Sequence, residues 1–173
     1  MEDNTGAIKE KKNSNKSAAD EKPIVPKDVD PSQYIIVRNG FQGILVYKSS
    51  RTGEVYKWDS FGAEQEMELR ELRNAKNSAK AFFINNWFMF DEDWVVDWLG
   101  VRQYYKNAIP IDSFDDIFKL TPAKLKEAVS LLSKGQKRSV GYRATELIKS
   151  GEIDSRKKIS ALEEALGMSL TEE

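Results

Sequence analysis

The sequence predicts an α+β fold: an N-terminal antiparallel β-meander covered by a helix, followed by a C-terminal helical subdomain. Three observations predict it. Residues 34–58, YIIVRNGFQGILVYKSSRTGEVYKW, hold three short runs of β-branched and aromatic residues separated by turn formers. Residues 60–76 then place Leu69, Leu72 and Ala75 at the spacing of one helical face. From residue 111 onward the chain is punctuated by helix starts and stops: Thr121-Pro122, Gly135, Gly151, Asp154-Ser155 and Gly167.

Each element has its own grounds. Residues 1–31 contain no aromatic side chain, mix both charge signs, and end in a proline-rich stretch. Such a segment buries too little apolar area to offset its ordering entropy, so a disordered arm is expected. In the β region the runs are Ile35 to Val37, Ile44 to Tyr47, and Val55, Tyr56 and Trp58. Asn39-Gly40 reads as a tight turn between the first two, and Ser49 to Gly53 as a second turn. A small sheet with one apolar face needs a cover. The 60–76 helix would supply it, with Glu64 and Glu66 at its start and Arg70, Arg73 and Lys76 toward its end, the order that suits the helix dipole.

Residues 81–98, AFFINNWFMFDEDWVVDW, read as a strand over 81–90 followed by a helix capped by Asp91. Trp94, Val95, Trp98 and Leu99 would form that helix's stripe, Gly100 its stop, and Tyr104 and Tyr105 would lie on one more turn. In the last third a short helix is expected up to Phe118, capped by Asp112 or Ser113. Three main helices follow. The first starts at Pro122 and turns Leu125, Ala128, Val129 and Leu132 inward. The second starts near Lys137 and buries Val140, Ala144, Leu147 and Ile148. The third is capped at Asp154 or Ser155 and buries Ile159, Leu162 and Leu166. The divisions are a 1–31 arm, a 32–110 α+β domain, a 111–168 helical subdomain and a 169–173 tail.

Composition narrows the chemistry. The 173 residues carry a net charge of −1, which gives no global attraction to nucleic acid or to an anionic membrane. No apolar run approaches the roughly 20 residues that span a bilayer. The absence of Cys and His excludes disulfides, thiolate metal sites and imidazole catalysis. No phosphate-binding glycine loop is present, since Asn39 to Gly43 is explained by turn geometry. Asp91-Glu92-Asp93 and Asp112, Asp115 and Asp116 could hold a hard cation. Both clusters sit where helices are expected to start, so capping is the simpler role, and neither a metal nor a cofactor is expected.

Two candidate sites remain. Trp58, Phe61, Trp87, Trp94 and Trp98 are partner-binding anchors or core, because buried aromatics dominate both settings. Tyr104 and Tyr105 are the pair expected at the surface, since a hydroxyl tolerates water. Only Arg102 and Lys106 lie close to these rings in sequence, which argues against a base-stacking platform. The run from Lys134 to Arg143 carries Lys134, Lys137, Arg138 and Arg143 with no acid. Set at a helix start, it could contact an anion or nucleic acid, and two helices joined by a short turn permit a helix-turn-helix.

The stretches VRNGFQGILVYKSSRTGEVYKWDSFG, EQEMELRELRNAK, FFINNWFMF and GQKRSVGYRATELIKSGEIDS resemble small uncharacterised proteins encoded among the virion genes of tailed bacteriophages. The resemblance covers roughly residues 34–168 and brings no catalytic motif. It implies a non-enzymatic structural or assembly component of a head, neck, tail or baseplate. Its partners would be other virion proteins or copies of itself, and it would reside in the host cytoplasm before assembly. The alternative is a nucleic-acid-binding regulator that uses the C-terminal helices. A third possibility is a carboxylate-based, metal-dependent enzyme.

Overall fold

The computed structural model describes residues 25–171. The expected arm falls outside the described residues up to position 24. Its end is tied to the domain, contrary to the expected disorder: Val29 packs on the core, and the Arg70 amide donates to the Pro31 carbonyl at 2.8 Å, as the Leu69 amide does to Gln33 just beyond at 3.0 Å.

The first half runs β1 (Tyr34–Asn39), β2 (Leu45–Lys48), β3 (Val55–Trp58), β4 (Glu64–Glu68), α1 (Leu69–Ser78), α2 (Ala81–Ile84), β5 (Phe88–Phe90) and α3 (Trp94–Trp98). After 3-10 turns at Arg102–Tyr104 and Ile111–Lys119 come α4 (Pro122–Ser130), α5 (Lys134–Lys149) and α6 (Arg156–Leu166). The fold is α+β, with antiparallel strands followed by helices, as expected.

The strand pairing is not a meander. β1 is central, flanked by β4 and β5, while β2 and β3 form a separate two-stranded hairpin. The cause is at Asn39-Gly40, which does not make a tight turn. The Asn39 side chain is fully buried and donates to the carbonyls of Gly43 and Ser60 at 2.7 and 2.9 Å. Its Oδ1 accepts from the Phe41 amide at 2.8 Å, and the Gly40 amide donates to the Trp87 carbonyl. These bonds carry the chain out of one sheet and into the other. Only glycine fits at position 40, where a Cβ would lie 2.1 Å from the Asn86 carbonyl oxygen. The second expected turn does form, with the Ser49 amide bonded to the Glu54 carbonyl and Gly53 at φ +75°.

Two further elements differ from expectation. Residues 64–68 are a strand, not a helix start. Glu64, Glu66 and Glu68 line its outer face while Met67 enters the core, and they pair with Arg38, Ile36 and Tyr34 of β1. The acids that suggested a helix dipole are the solvent-facing positions of a period-two element. Residues 81–90 are not one strand either. Ala81–Ile84 is a helical turn, and extended structure is confined to Phe88–Phe90. Phe83 and Phe88 both reach the core. The helical turn and the reversal at Asn86, buried at φ +54°, bring them together.

The inner faces of the two sheets share one core. Leu45, Tyr47 and Trp58 from the hairpin meet Ile35, Val37 and Met67 from the larger sheet, with Leu69, Leu72 and Ala75 of α1. Trp58 Nε1 donates to the Val37 carbonyl at 2.8 Å and bonds one sheet to the other. The Glu71 carboxylate is buried against the hairpin, where it accepts from Tyr47 at 2.8 Å, from Arg51 at 3.1 Å and from Asn74 at 3.1 Å. Burial pushes its carboxyl pKa up, but hydrogen bonds from Ser49, Asn74, Tyr47 and Arg51 outweigh this and hold it below the ordinary range.

A second core lies among the C-terminal helices and includes Phe114, Phe118, Leu125, Val129, Val140, Ala144 and Leu162. α5 starts earlier than expected because Ser133 caps it, its Oγ accepting from the Gln136 amide at 3.1 Å. Gly135 therefore sits in the first turn of α5 and does not end α4. It lies against the β domain so closely that a Cβ would fall 2.2 Å from the Asn85 carbonyl oxygen. Beside it, Gln136 exchanges two hydrogen bonds with the Ile109 backbone, and Ser139 Oγ donates to the Gly40 carbonyl at 3.2 Å. Gly167 ends α6 in the left-handed conformation. The expected tail is anchored at Leu170, which is buried and whose amide donates to Glu163.

Candidate docking surface

The structure packs every candidate aromatic against a core, and only Trp58 is fully buried. Trp58 is sealed in the core. Phe61 is half-buried and meets Phe114 edge-on at 5.0 Å, which seats this residue of the first half on the second core. Trp87 is half-buried between Phe41 and Phe82, in edge-to-face contacts at 6.2 and 5.5 Å. Trp94 and Trp98 share a face of α3 and pack on the core from outside. The Arg73 guanidinium covers Trp98 at 4.0 Å, and Trp94 Nε1 donates to Glu92 at 2.8 Å.

The expected exposure of the tyrosine pair is corrected. Tyr104 and Tyr105 are both half-buried. Tyr105 donates to the Phe88 carbonyl at 2.7 Å, and burial pushes its hydroxyl well above the ordinary tyrosine range. A phenol in this position replaces water with a backbone acceptor, which is why it could leave the surface.

The carboxylate clusters act mainly as arginine partners. Asp91 and Asp112 both bind Arg38, at 3.3 and 2.9 Å; Asp93 and Asp97 bind Arg102 at 2.7 and 2.8 Å. The Arg38 guanidinium holds the Asp112 carboxyl below its ordinary value. Side-chain capping, the expected role of these acids, is absent: neither α3 nor the Ile111–Lys119 segment has a side-chain cap bond. Among the described residues no group of three or more acids is placed to hold a metal ion.

The basic run is divided by its packing. Arg143 is bound to Asp115 through Nε and Nη2 and to Glu146 at 3.0 Å. Lys134 and Arg138 are exposed and Lys137 is half-buried, and none of the three makes an ion pair among the described residues. The face of α5 between them, with Gly135, Gln136 and Ser139, is buried. A helix whose first turns are packed on Asn85 and Gly40 cannot present that face to a groove.

Among the described residues, five of the nine exposed large apolar side chains lie on or beside the strands, the others being Ile84, Leu131, Tyr142 and Met168. On β1, Tyr34 and Ile36 are 63% and 43% exposed; on and beside the hairpin, Ile44, Val46 and Val55 are 58%, 50% and 59% exposed. Sequence reasoning expected apolar docking contacts from the β region but named none of these side chains as exposed. The signal was present in the runs themselves: strands with β-branched residues at consecutive positions are apolar on both faces, and a period of two can bury only one of them against a single core. No helix among the described residues is long and apolar enough to cross a membrane. Compared with known proteins, the chain matches no family model, no curated protein and no solved structure.

Proposed function

We propose that this chain is a structural or assembly component of a tailed-phage virion that acts by protein–protein docking. The observation that carries the docking reading is two groups of exposed apolar side chains, Tyr34 and Ile36 on the outer face of β1 and Ile44, Val46 and Val55 on and beside the hairpin. Clustered exposed apolar side chains mark interaction sites more often than scattered ones do. The virion assignment rests on the sequence resemblance over residues 34–168. Docking of preformed strand faces fits a domain whose inner faces are already tied by Trp58, Asn39 and Glu71.

The test is mass-spectrometric localisation of the chain across purified particles and infected-cell lysate. Enrichment in particles is the expected result. Absence from particles, with duplex binding in a gel shift that Lys137→Glu and Arg138→Glu abolish, would replace this reading with the nucleic-acid-binding regulator.

A further inference from the structure

We propose that the outer faces of the two sheets are the two halves of a head-to-tail contact between copies of this chain. The inference rests on the docking reading and names the partner. On the larger sheet, Tyr34 and Ile36 stand opposite Glu68 and Glu66 in register. On the hairpin, Val46 stands opposite Lys57, and Val55 opposite Lys48. Arg70 already holds Glu68 and Asp59 holds Lys57, so among the described residues the charge without an ion pair is Glu66 on one face and Lys48 on the other. The inner faces of both sheets enter one core, so these outer faces look away from it on its two sides. A molecule with complementary patches on different faces makes a heterologous contact, which closes into a ring or extends as a filament.

The structure also limits where the first face can be used. Toward the C-terminal end of β1, Arg38 is engaged by Asp91 and Asp112, and Met89 is buried beside it. The helical subdomain therefore covers that end, and the free portion is centred on Tyr34 and Ile36. A handful of side chains per face is fewer than the roughly 20–30 residues a side of a standard interface. A single contact is accordingly weak, and association depends on concentration or on ring closure.

Sedimentation velocity of the full chain over a wide concentration range tests the proposal. Val46→Glu places a carboxylate on the lysine face where it would meet Glu66. Ile36→Lys places an ammonium on the glutamate face where it would meet Lys48. Both positions are exposed, and circular dichroism verifies the fold of each variant. Val55→Glu and Tyr34→Lys serve as a second pair should either first variant unfold. The native chain is expected to form species beyond a dimer, and each variant alone to stay monomeric. An equimolar mixture of the two variants retains one intact face of each kind, and the two introduced charges are opposite in sign, so it is expected to associate where neither variant does alone. A native chain that stays monomeric throughout would overturn the proposal. So would a variant that still dimerises alone, because the contact would then be isologous, and so would a mixture that stays monomeric. A monomeric native chain that is nonetheless found in particles would refute self-association while leaving the virion reading intact. Self-association of a chain absent from particles would do the reverse.

Discussion

Replacing Gly135 by alanine should destabilise this protein, although glycine to alanine in a helix ordinarily stabilises by up to about 1 kcal/mol. The added Cβ would sit 2.2 Å from the Asn85 carbonyl oxygen and 2.5 Å from its Cβ, where ordinary contact begins at 3.4 Å. The obstacle is backbone, so α5 and the Asn85 loop must part by about 1 Å. Overpacking of this kind costs about 1–3 kcal/mol. The same movement stretches the Ser139–Gly40 and Gln136–Ile109 hydrogen bonds, each worth about 1 kcal/mol net. Set against the helical gain, the net loss is about 2–4 kcal/mol. For a chain of this length that lowers Tm by roughly 5–15 °C. Gly141→Ala in the same helix is the internal control. Its Cβ meets only the Met168 sulfur at 3.2 Å and Leu166 at 3.7 Å, and Met168 is exposed and free to move. That variant should melt at or above the native temperature. Thermal and urea melts followed by circular dichroism read both. If Gly135→Ala proves as stable as the native chain, α5 is not seated on the Asn85 loop and the account of the joint is wrong.

Three other outcomes follow from the buried polar groups. Glu71→Gln should cost about 1.5–3 kcal/mol, the range for hydrogen bonds to a charged group, as read by urea denaturation. Because the Glu71 pKa is lowered in the folded state, its contribution is present above the unfolded value of about 4.3 and is lost as pH falls through the folded value, so the native chain should lose stability there more steeply than the Gln variant. Asn39→Asp should be worse than Asn39→Ala. It replaces the donor to two carbonyls with a group that, ionised, faces them in a buried site, so its destabilisation should grow as pH rises above about 4. Trp58→Phe should cost about 1 kcal/mol for the bond to the Val37 carbonyl plus the loss of ring volume, and should blue-shifted native tryptophan emission persist unchanged, Trp58 is not the sealed indole.

How much of this was readable beforehand depended on the range of the interaction. The C-terminal helices were legible because their signals are local: Pro122 at a first turn, Ser155 before α6, Gly167 after it, and apolar residues at helical spacing. The hairpin was legible for the same reason, through Ser49 and Gly53. What failed was non-local. Asn39-Gly40 has the composition of a tight turn, and only the carbonyls of Gly43, Ser60 and Trp87, brought in from elsewhere, convert it to a crossing between sheets. Glu64, Glu66 and Glu68 fit a helix start and a strand's outer face equally well until β1 fixes their register. Gly135 resembled a helix stop because its reason for being glycine lies 50 positions away, at Asn85. The aromatic stretch was located correctly as a region, but burial of each ring is decided by partners in α1 and the hairpin.

The order of pairing in the larger sheet has a consequence for synthesis. Its middle strand is made first, yet its neighbours are residues 64–68 and 88–90. At 5–20 residues per second, a ribosome needs roughly 3–10 s to deliver the second neighbour, some 50 residues later. During that interval Tyr34 to Val37 is a sticky ribbon, with both edges open until residues 64–68 arrive and one edge open until 88–90 do. The nascent protein is therefore most exposed to mispairing before its ninetieth residue clears the exit tunnel, and slowing translation just upstream of that point should lower the yield of folded product.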